Sequence, residues 1–101
     1  MAQAPQSNFI DVNGVRLHYL MAGKGDPVVL LHGFAETSYM WLPLIAELAD
    51  RHTVIAPDLR GFGQSAASND GYTKKAMAQD IHALVQSLGY HHIRLVGHDI
   101  G

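Results

Sequence analysis

The sequence predicts an α/β fold in which an antiparallel hairpin leads into a parallel strand-helix-strand-helix-strand unit. Two β-prone runs flank an Asn-Gly pair near the start of the chain, and three short apolar runs follow them. Two segments with helical periodicity separate those apolar runs. Strands that alternate with helices in this way build a parallel sheet with right-handed crossovers.

The hairpin is predicted over residues 9–12 and 15–21, which are rich in β-forming side chains. Asn13 and Gly14 separate the two runs. This dipeptide favours a type I′ turn, because both central positions of that turn need a positive φ. The first two strands are therefore expected to be antiparallel.

Residues 27–31, 53–56 and 93–96 are short, largely apolar runs. Such runs are typical of strands that are buried on both faces of a parallel sheet. The first of them leads directly into His32 and Gly33. These three runs are the predicted parallel strands.

The first helix is predicted from a stripe of apolar side chains and extends to about Asp50. The stripe consists of Trp41, Leu44, Ile45, Leu48 and Ala49. This spacing places all its members on one face of a helix. Thr37 and Ser38 offer capping hydroxyls, and Pro43 is tolerated only because it falls in the first turn.

The second helix shows the same periodicity more clearly. Its stripe consists of Met77, Ile81, Leu84, Val85 and Leu88. Thr73 is a candidate for the N-cap. Gly89 stands where a left-handed residue commonly ends a helix.

Composition excludes several classes of protein. The chain has 101 residues, enough for one domain, with seven Lys and Arg against nine Asp and Glu and no Cys. With a formal charge of -2, the chain does not have the excess of basic residues that is typical of a nucleic-acid binder. No signal peptide is recognisable, and the longest purely apolar run, Val28–Leu31, cannot span a bilayer. We therefore expect a cytoplasmic protein that binds neither nucleic acid nor membrane.

Ligands of parallel sheets bind beyond the carboxyl ends of the strands. Three loops follow the carboxyl ends of the predicted parallel strands. They are residues 32–34 (His-Gly-Phe), 58–65 (Asp-Leu-Arg-Gly-Phe-Gly-Gln-Ser) and 97–101 (Gly-His-Asp-Ile-Gly). In the second loop we expect Asp58 and Arg60 to pair, which is a structural rather than a catalytic role.

The last loop has the pattern of a sharp elbow that exposes a nucleophile, with Asp99 where Ser commonly stands. Small residues two positions either side, Gly97 and Gly101, let the backbone turn tightly. A carboxylate is ionised at pH 7, so it can attack a saturated carbon without a base and form an ester. That chemistry opens an epoxide or cleaves a carbon–halogen bond. The alternative is that Asp99 only caps a following helix.

The loop after the first parallel strand complements this elbow. The backbone N–H of Phe34 can pair with that of Ile100 as an oxyanion hole for the tetrahedral intermediate of ester hydrolysis. The alternative is an ordinary loop with a half-buried aromatic side chain.

Together the three loops resemble those of α/β-hydrolases of the epoxide hydrolase and haloacid or haloalkane dehalogenase branch, in the same order and at similar separations. The resemblance runs from about Asp11 to Gly101. It implies that Asp99 is the nucleophile and that the N–H groups of Phe34 and Ile100 hold the oxyanion. It also implies a small-molecule substrate, an epoxide or organohalide, with no cofactor and no metal. The residues expected to shape the substrate pocket are His32, Gly33, His98 and Trp41.

The resemblance ranks the substrates. His-Gly-Phe at residues 32–34 favours an epoxide hydrolase, since haloalkane dehalogenases typically carry Asn or a similar group where Phe34 stands. Fluoroacetate dehalogenases share His-Gly-Phe but usually have Arg where Ile100 stands, to grip a carboxylate. Epoxide hydrolysis is therefore ranked first, haloacid dehalogenation second and another α/β-hydrolase activity third.

The resemblance also predicts a truncated domain. Residues 1–101 match only the N-terminal half of such a hydrolase and end at the elbow, so the lid tyrosines, the late acid and the final histidine would come from elsewhere. Residues 93–96 would then form an exposed edge strand, for which we expect homo-oligomerisation. Without the C-terminal helices of such a hydrolase, apolar surface on Leu84, Leu88 or Leu95 is also expected to be exposed.

Two other classes remain open. One is a non-catalytic fragment, excised or engineered, that self-associates. The other is a dinucleotide-binding unit, suggested by Gly61, Gly63 and Ala66 after a strand, with Asp80 near the distance for a ribose contact. Asp80 falls inside a predicted helix, which disfavours the second class.

His91 and His92 precede the last strand and are expected to face solvent.

Overall fold

The structure is a computed structural model that describes residues 5–32, 37–59, 61, 65 and 74–97. Its elements in chain order are β1 (Gln6–Val12), β2 (Val15–Ala22), β3 (Asp26–Leu31), a 3₁₀ turn (Ser38–Trp41), α1 (Leu42–Leu48), β4 (His52–Pro57), α2 (Lys74–Ser87) and β5 (Arg94–Gly97). Each predicted strand and helix is present, with boundaries shifted by a few residues.

The five strands form one mixed sheet in the order β1-β2-β4-β3-β5. β1 pairs antiparallel with β2, and β2 antiparallel with β4. β3 lies between β4 and β5 and is parallel to both. The predicted α/β architecture, a hairpin followed by a parallel unit, is confirmed.

The hairpin turn is made by Asn13 and Gly14. Their φ angles are 49° and 75°, so both residues have the left-handed backbone that a type I′ turn requires. Val12 and Val15 face each other across the turn. The turn therefore sets the register of the whole hairpin.

The first helical segment is shorter than predicted, because its first turn is 3₁₀ and α1 ends at Leu48 instead of Asp50. Thr37 caps the segment, since its side chain accepts a hydrogen bond from the Tyr39 N–H. Pro43 lies in the first turn of α1, where its missing N–H leaves no bond unmade.

Helix α2 ends in a Schellman motif around Gly89, which has a φ of 91°. The Gly89 N–H donates to the Gln86 carbonyl and the Tyr90 N–H to the Val85 carbonyl, both at 3.0 Å. These bonds satisfy the last carbonyls of the helix. The predicted cap at Thr73 lies outside the described residues. No described helix is long and apolar enough to cross a membrane.

The sheet carries a buried core on each face. The face covered by α1 is formed by Leu20, Ala22, Val28, Leu30, Ile45, Ala49, Val54 and Ala56. The face covered by α2 is formed by Tyr19, Val29, Ile55, Leu59, Ile81, Leu84 and Val85. Successive strand residues alternate between the two cores because side chains alternate along a strand. The two helices therefore lie on opposite faces of the sheet.

The prediction of a doubly buried strand is correct for β3 and β4 but wrong for β5. All four residues of β5 are exposed, Leu95 to 60% and Val96 to 39%. β5 is the edge strand and pairs only with β3 among the described strands, which agrees with the predicted exposed edge. Leu95 is bare as expected, but Leu84 is fully buried against the sheet.

Candidate functional site

The carboxyl ends of the three parallel strands meet at one edge of the sheet, as the sequence predicts. β3 ends at Leu31, β4 at Pro57 and β5 at Gly97. Leu31 and Gly97 are partners in the register of β3 and β5. The described residues that follow these strands, His32 and Asp58, therefore begin the edge at which a ligand would bind.

Two of the predicted site residues, His32 and Trp41, are described by the structure. The other five lie outside the described residues, namely Gly33, Phe34, His98, Asp99 and Ile100. The nucleophile and the oxyanion hole therefore stay predictions. The strand ends that precede them are in the positions that the prediction requires.

Asp58 is the centre of a buried hydrogen-bond network at this edge. Its carboxylate accepts bonds from His18 Nδ1 at 2.7 Å and from the Ser38 backbone N–H at 2.6 Å. Its own backbone N–H donates to the His18 carbonyl at 2.8 Å, and its carbonyl accepts from the Ser65 hydroxyl at 2.6 Å. Asp58 has no exposed surface, so a ligand cannot contact it directly.

His18 lies on β2 beside Asp58 and is completely buried. Its Nδ1 must carry a proton, because the carboxylate that it contacts only accepts hydrogen bonds. Its Nε2 lies 2.6 Å from the Ser7 hydroxyl. Its ring is flanked by Phe9, with ring centroids 5.1 Å apart, and by Tyr39, at 6.1 Å.

His32 has the contacts of a scaffold residue. It is completely buried, and its Nε2 accepts a hydrogen bond from the Leu59 N–H at 2.9 Å. A backbone donor on Nε2 requires a lone pair there, so the ring is neutral with its proton on Nδ1. Trp41 packs against the core on the α1 face. A role for either residue in a substrate pocket stays a prediction.

The network fixes both flanks of the segment that was predicted to supply an oxyanion donor. On one side His32 is bonded to Leu59, and on the other the Ser38 N–H is bonded to Asp58. The Ser65 hydroxyl also accepts from the His18 N–H at 2.8 Å. The first β-hairpin, the loop after β3 and the loop after β4 are thus tied together in the protein interior.

His18 is the residue that sequence reasoning missed. The signal was a single histidine within the apolar strand sequence Leu-His-Tyr-Leu at residues 17–20. An imidazole buried in such a strand needs hydrogen-bond partners. Asp58 was instead expected to pair with Arg60, which lies outside the described residues, and the structure shows His18 as a partner of Asp58.

The contacts of Asp80 disfavour the dinucleotide-binding alternative. Asp80 lies within α2 and is 1% exposed. Its carboxylate accepts a hydrogen bond from the Asn13 side chain at 3.3 Å. It therefore ties α2 to the hairpin turn and is not placed at a strand end, where a ribose contact would need it.

An apolar cleft of about 270 Å³ lies between α2 and the exposed strand β5. Its lining includes Ile81, Val85, Tyr90, Ile93 and Leu95. It lies on the α2 face and holds none of the residues of the buried network. His91, which borders it, and His92 are exposed as predicted.

A family model described as the alpha/beta hydrolase fold matches residues 26–101. The soluble epoxide hydrolase of Corynebacterium sp. (strain C12) is 49% identical over 90 residues, covering 89% of this chain and 32% of that protein. The fluoroacetate dehalogenase of Burkholderia sp. is 36% identical over 106 residues, covering all of this chain and 35% of that protein.

Solved structures of epoxide hydrolases also superpose on this chain. The epoxide hydrolase CorEH, solved without ligand, superposes with a TM-score of 0.95 at 45% identity, covering 97% of this chain and 35% of that one. An epoxide hydrolase from Vigna radiata superposes with a TM-score of 0.92 at 38% identity, covering 96% of this chain and 32% of that one. The chain spans about a third of the length of the proteins that it matches.

Proposed function

Because the chain belongs to the α/β-hydrolase fold family, we propose that Asp99 is the nucleophile of a hydrolase that opens epoxides through an ester intermediate. The observation that carries this proposal is the position of β5, which ends at Gly97 beside the end of β3 at the ligand-binding edge. Asp99 follows two residues later in a Gly-His-Asp-Ile-Gly elbow sequence. The 49% identity to a soluble epoxide hydrolase supports the choice of substrate.

The proposed reaction begins when a carboxylate oxygen of Asp99 attacks an epoxide carbon. The carbon–oxygen bond of the ring breaks, and the oxygen leaves as an alkoxide that takes up a proton. Water then attacks the ester carbonyl, and the oxyanion is held by the N–H groups of Phe34 and Ile100. The products are a diol and the regenerated carboxylate. His32, Gly33, His98 and Trp41 are the proposed pocket residues.

Dehalogenation is the second candidate, because a fluoroacetate dehalogenase is 36% identical across the whole chain. The same carboxylate would displace halide from a saturated carbon and give a similar ester. Ile100 cannot form an ion pair with a substrate carboxylate, so this candidate ranks below epoxide hydrolysis.

Residues 1–101 form the N-terminal part of the proposed catalytic domain. The matched relatives are about three times as long as the part of them that this chain covers. In the proposal, the acid that protonates the alkoxide and the base that activates water lie outside residues 1–101. The ester at Asp99 should then form faster than it is hydrolysed.

Incubation of the 101-residue chain with styrene oxide is expected to give a single covalent adduct, mapped to Asp99 by peptide mass spectrometry. The ester should persist because no positioned base activates water against it. Asp99→Asn should abolish the adduct, whereas Asp50→Asn, a change at an exposed carboxylate, should leave it intact. A parallel incubation with fluoroacetate, followed by fluoride release, tests the second candidate.

The proposal is wrong if the adduct is spread over several carboxylates or survives in Asp99→Asn. Fluoride release without reaction of the epoxide would instead favour the dehalogenase.

Association through β5 is the proposed quaternary arrangement. β5 is an apolar edge strand whose Leu95 and Val96 side chains are exposed, and such edges pair readily with other strands. A two-fold dimer is the simplest closed arrangement. We also propose the cytoplasmic location that the sequence leads us to expect, but association through β5 does not depend on it.

Light scattering after size exclusion at micromolar concentration should show a dimer or higher oligomer. Leu95→Lys should shift the population to monomer, because it places a charge on the pairing edge. Leu42→Lys, at an exposed position on α1, is the matched control and should leave association unchanged. A wild-type chain that is already monomeric would refute the arrangement.

A further inference from the structure

The residues Ser7, His18 and Asp58 form a linear hydrogen-bonded relay that the proposed epoxide chemistry does not use. The Ser7 hydroxyl lies 2.6 Å from His18 Nε2, and His18 Nδ1 lies 2.7 Å from the Asp58 carboxylate. Ser7 is exposed, whereas His18 and Asp58 are fully buried. A nucleophile within reach of a base that is itself oriented by a third group is the arrangement of an activated serine. We propose that Ser7 is a second nucleophile, reactive toward carboxylic esters.

The direction of the hydrogen bonds supports this role. Asp58 accepts from Nδ1, so in the neutral imidazole the lone pair is on Nε2. The Ser7 hydroxyl then donates to that lone pair, and His18 is already in the tautomer of a general base. Because the Ser38 N–H also binds the Asp58 carboxylate, that carboxylate cannot easily rotate away from His18. Asp58 is a positioning residue, since it acts through the imidazole.

The surroundings of Ser7 indicate the class of ester. Ser7 and Phe9 face Leu20 and His18 across the hairpin, so their side chains lie on the α1 face of the sheet. The Phe9 side chain is 51% exposed, and both Phe9 and Tyr39, which is 43% exposed, flank the His18 ring. These two exposed aromatic rings lie beside the imidazole that contacts the Ser7 hydroxyl, and they offer an apolar surface to an acyl chain. The substrate class is therefore small esters with an apolar acyl group.

The register also supplies two alternative donors for the oxyanion, which can contact only one of them at a time because like-facing N–H groups two residues apart on a strand are about 6.5 Å apart. Both backbone groups of His18 bond on the side of β4, to Asp58 and Ser65. Phe9 and His18 are thus a non-hydrogen-bonded pair of the hairpin, and the Phe9 N–H points away from β2. The Ser7 N–H, two residues earlier, points the same way. Both therefore face the open edge of β1 in the described sheet.

The reaction balances without any cofactor. Ser7 Oγ attacks the ester carbonyl carbon while its proton passes to His18 Nε2. The tetrahedral intermediate collapses, its bond to the alcohol oxygen breaks, and the alcohol leaves with the proton from Nε2. Water, deprotonated by His18, then releases the carboxylic acid and regenerates Ser7.

This centre is separate from the one proposed at Asp99. β2, which carries His18, and β5, which precedes Asp99, are separated by β4 and β3 in the sheet. Three strand spacings amount to about 14 Å. The two centres also differ in reagent, since a serine hydroxyl is labelled by fluorophosphonates and a carboxylate nucleophile is detected with an epoxide. Failure of one test therefore leaves the other standing.

A fluorophosphonate with an alkyl chain is the first probe. Its reaction forms a bond from Ser7 Oγ to phosphorus and expels fluoride, while the proton goes to His18. Mass mapping should place one label on Ser7. The label should be absent in Ser7→Ala, retained in Ser87→Ala, a change at an exposed serine on α2, and slowed in Phe9→Ala. Absence of the label from Ser7 in the wild-type chain would overturn the proposal.

Cysteine variants provide a second readout that does not depend on a phosphorus reagent. The chain has no cysteine, so Ser7→Cys and Ser87→Cys each carry a single thiol. A thiol beside an imidazole has a lowered pKa. The pH at which alkylation by iodoacetamide reaches half its maximal rate should therefore be at least about one unit lower for Ser7→Cys than for Ser87→Cys. His18→Asn in the Ser7→Cys background should abolish the difference.

Coincident pH profiles for Ser7→Cys and Ser87→Cys would show that His18 does not activate the residue at position 7, and that result would overturn the proposal. If His18→Asn fails to fold, the comparison of the two single-thiol variants still decides. Circular dichroism of Ser7→Cys verifies that the hairpin is retained.

Discussion

Asp58→Ala is expected to lower the free energy of unfolding by about 2–6 kcal/mol, because two buried donors each lose their hydrogen-bond partner at about 1–3 kcal/mol apiece. The change strands two buried donors, the His18 Nδ1–H and the Ser38 N–H, which the carboxylate now satisfies. It also removes the link between the β-hairpin and the loop after β3. A domain of this size is stable by only about 5–15 kcal/mol, so the variant should be marginal.

Urea denaturation followed by circular dichroism measures this loss. Asp58→Asn should cost less, about 1–3 kcal/mol, because the amide can still accept from Ser38 while His18 changes tautomer to accept from the amide nitrogen. Asp11→Asn is the matched control. Asp11 pairs with Arg16 at 3.1 Å on the surface, with both side chains more than half exposed, so its midpoint should not move. Equal midpoints for Asp58→Ala and Asp11→Asn would contradict the interpretation of Asp58 as the centre of the network.

Gly23→Ala is expected to destabilise the fold by about 2–5 kcal/mol, the sum of a left-handed backbone penalty and overpacking. Gly23 has a φ of 84°. A Cβ there would overlap the carbonyl oxygen of His52 and lie 2.5 Å from the carbonyl oxygen of Ala49. Both obstacles are backbone atoms, so relief requires the end of the first helical segment or the start of β4 to move.

Gly14→Ala separates the two contributions. Gly14 has a φ of 75°, but a Cβ there would have no atom within 4 Å. This variant should lose only the backbone part, about 1–2 kcal/mol. Thermal and urea unfolding of both variants should therefore show a clearly larger loss for Gly23→Ala. Equal losses would mean that the segment before β3 adjusts freely, against the packing seen here.

The elements of the fold were predictable because their signals are local. The Asn13-Gly14 dipeptide specified the turn, and Gly89 marked the end of α2, each through a backbone conformation that few residues adopt. The two-faced burial of β3 and β4 followed from their continuous apolar sequence. β5 has a similar apolar sequence but is exposed, because burial depends on which neighbours cover a strand.

The site was predictable only in part. Strand order places the ends of β3, β4 and β5 at one edge, and that much follows from parallel topology. The contact between His18 and Asp58 joins residues 40 positions apart, and no local pattern specifies it. The expected pairing of Asp58 with Arg60 relied on sequence proximity and missed a partner on a different strand.

By itself, the sequence determined the class of fold and the alternation of strands and helices, and it predicted the loops to which the proposed chemistry is assigned. These follow from side-chain periodicity and from residues with unusual backbone preferences, which act over a few positions. Only the tertiary structure decided which polar side chains meet in the interior, placing His18 between Ser7 and Asp58. The physical reason is that a buried polar group must find a hydrogen-bond partner among whatever residues the packed strands bring within about 3 Å, and those residues are distant in the chain.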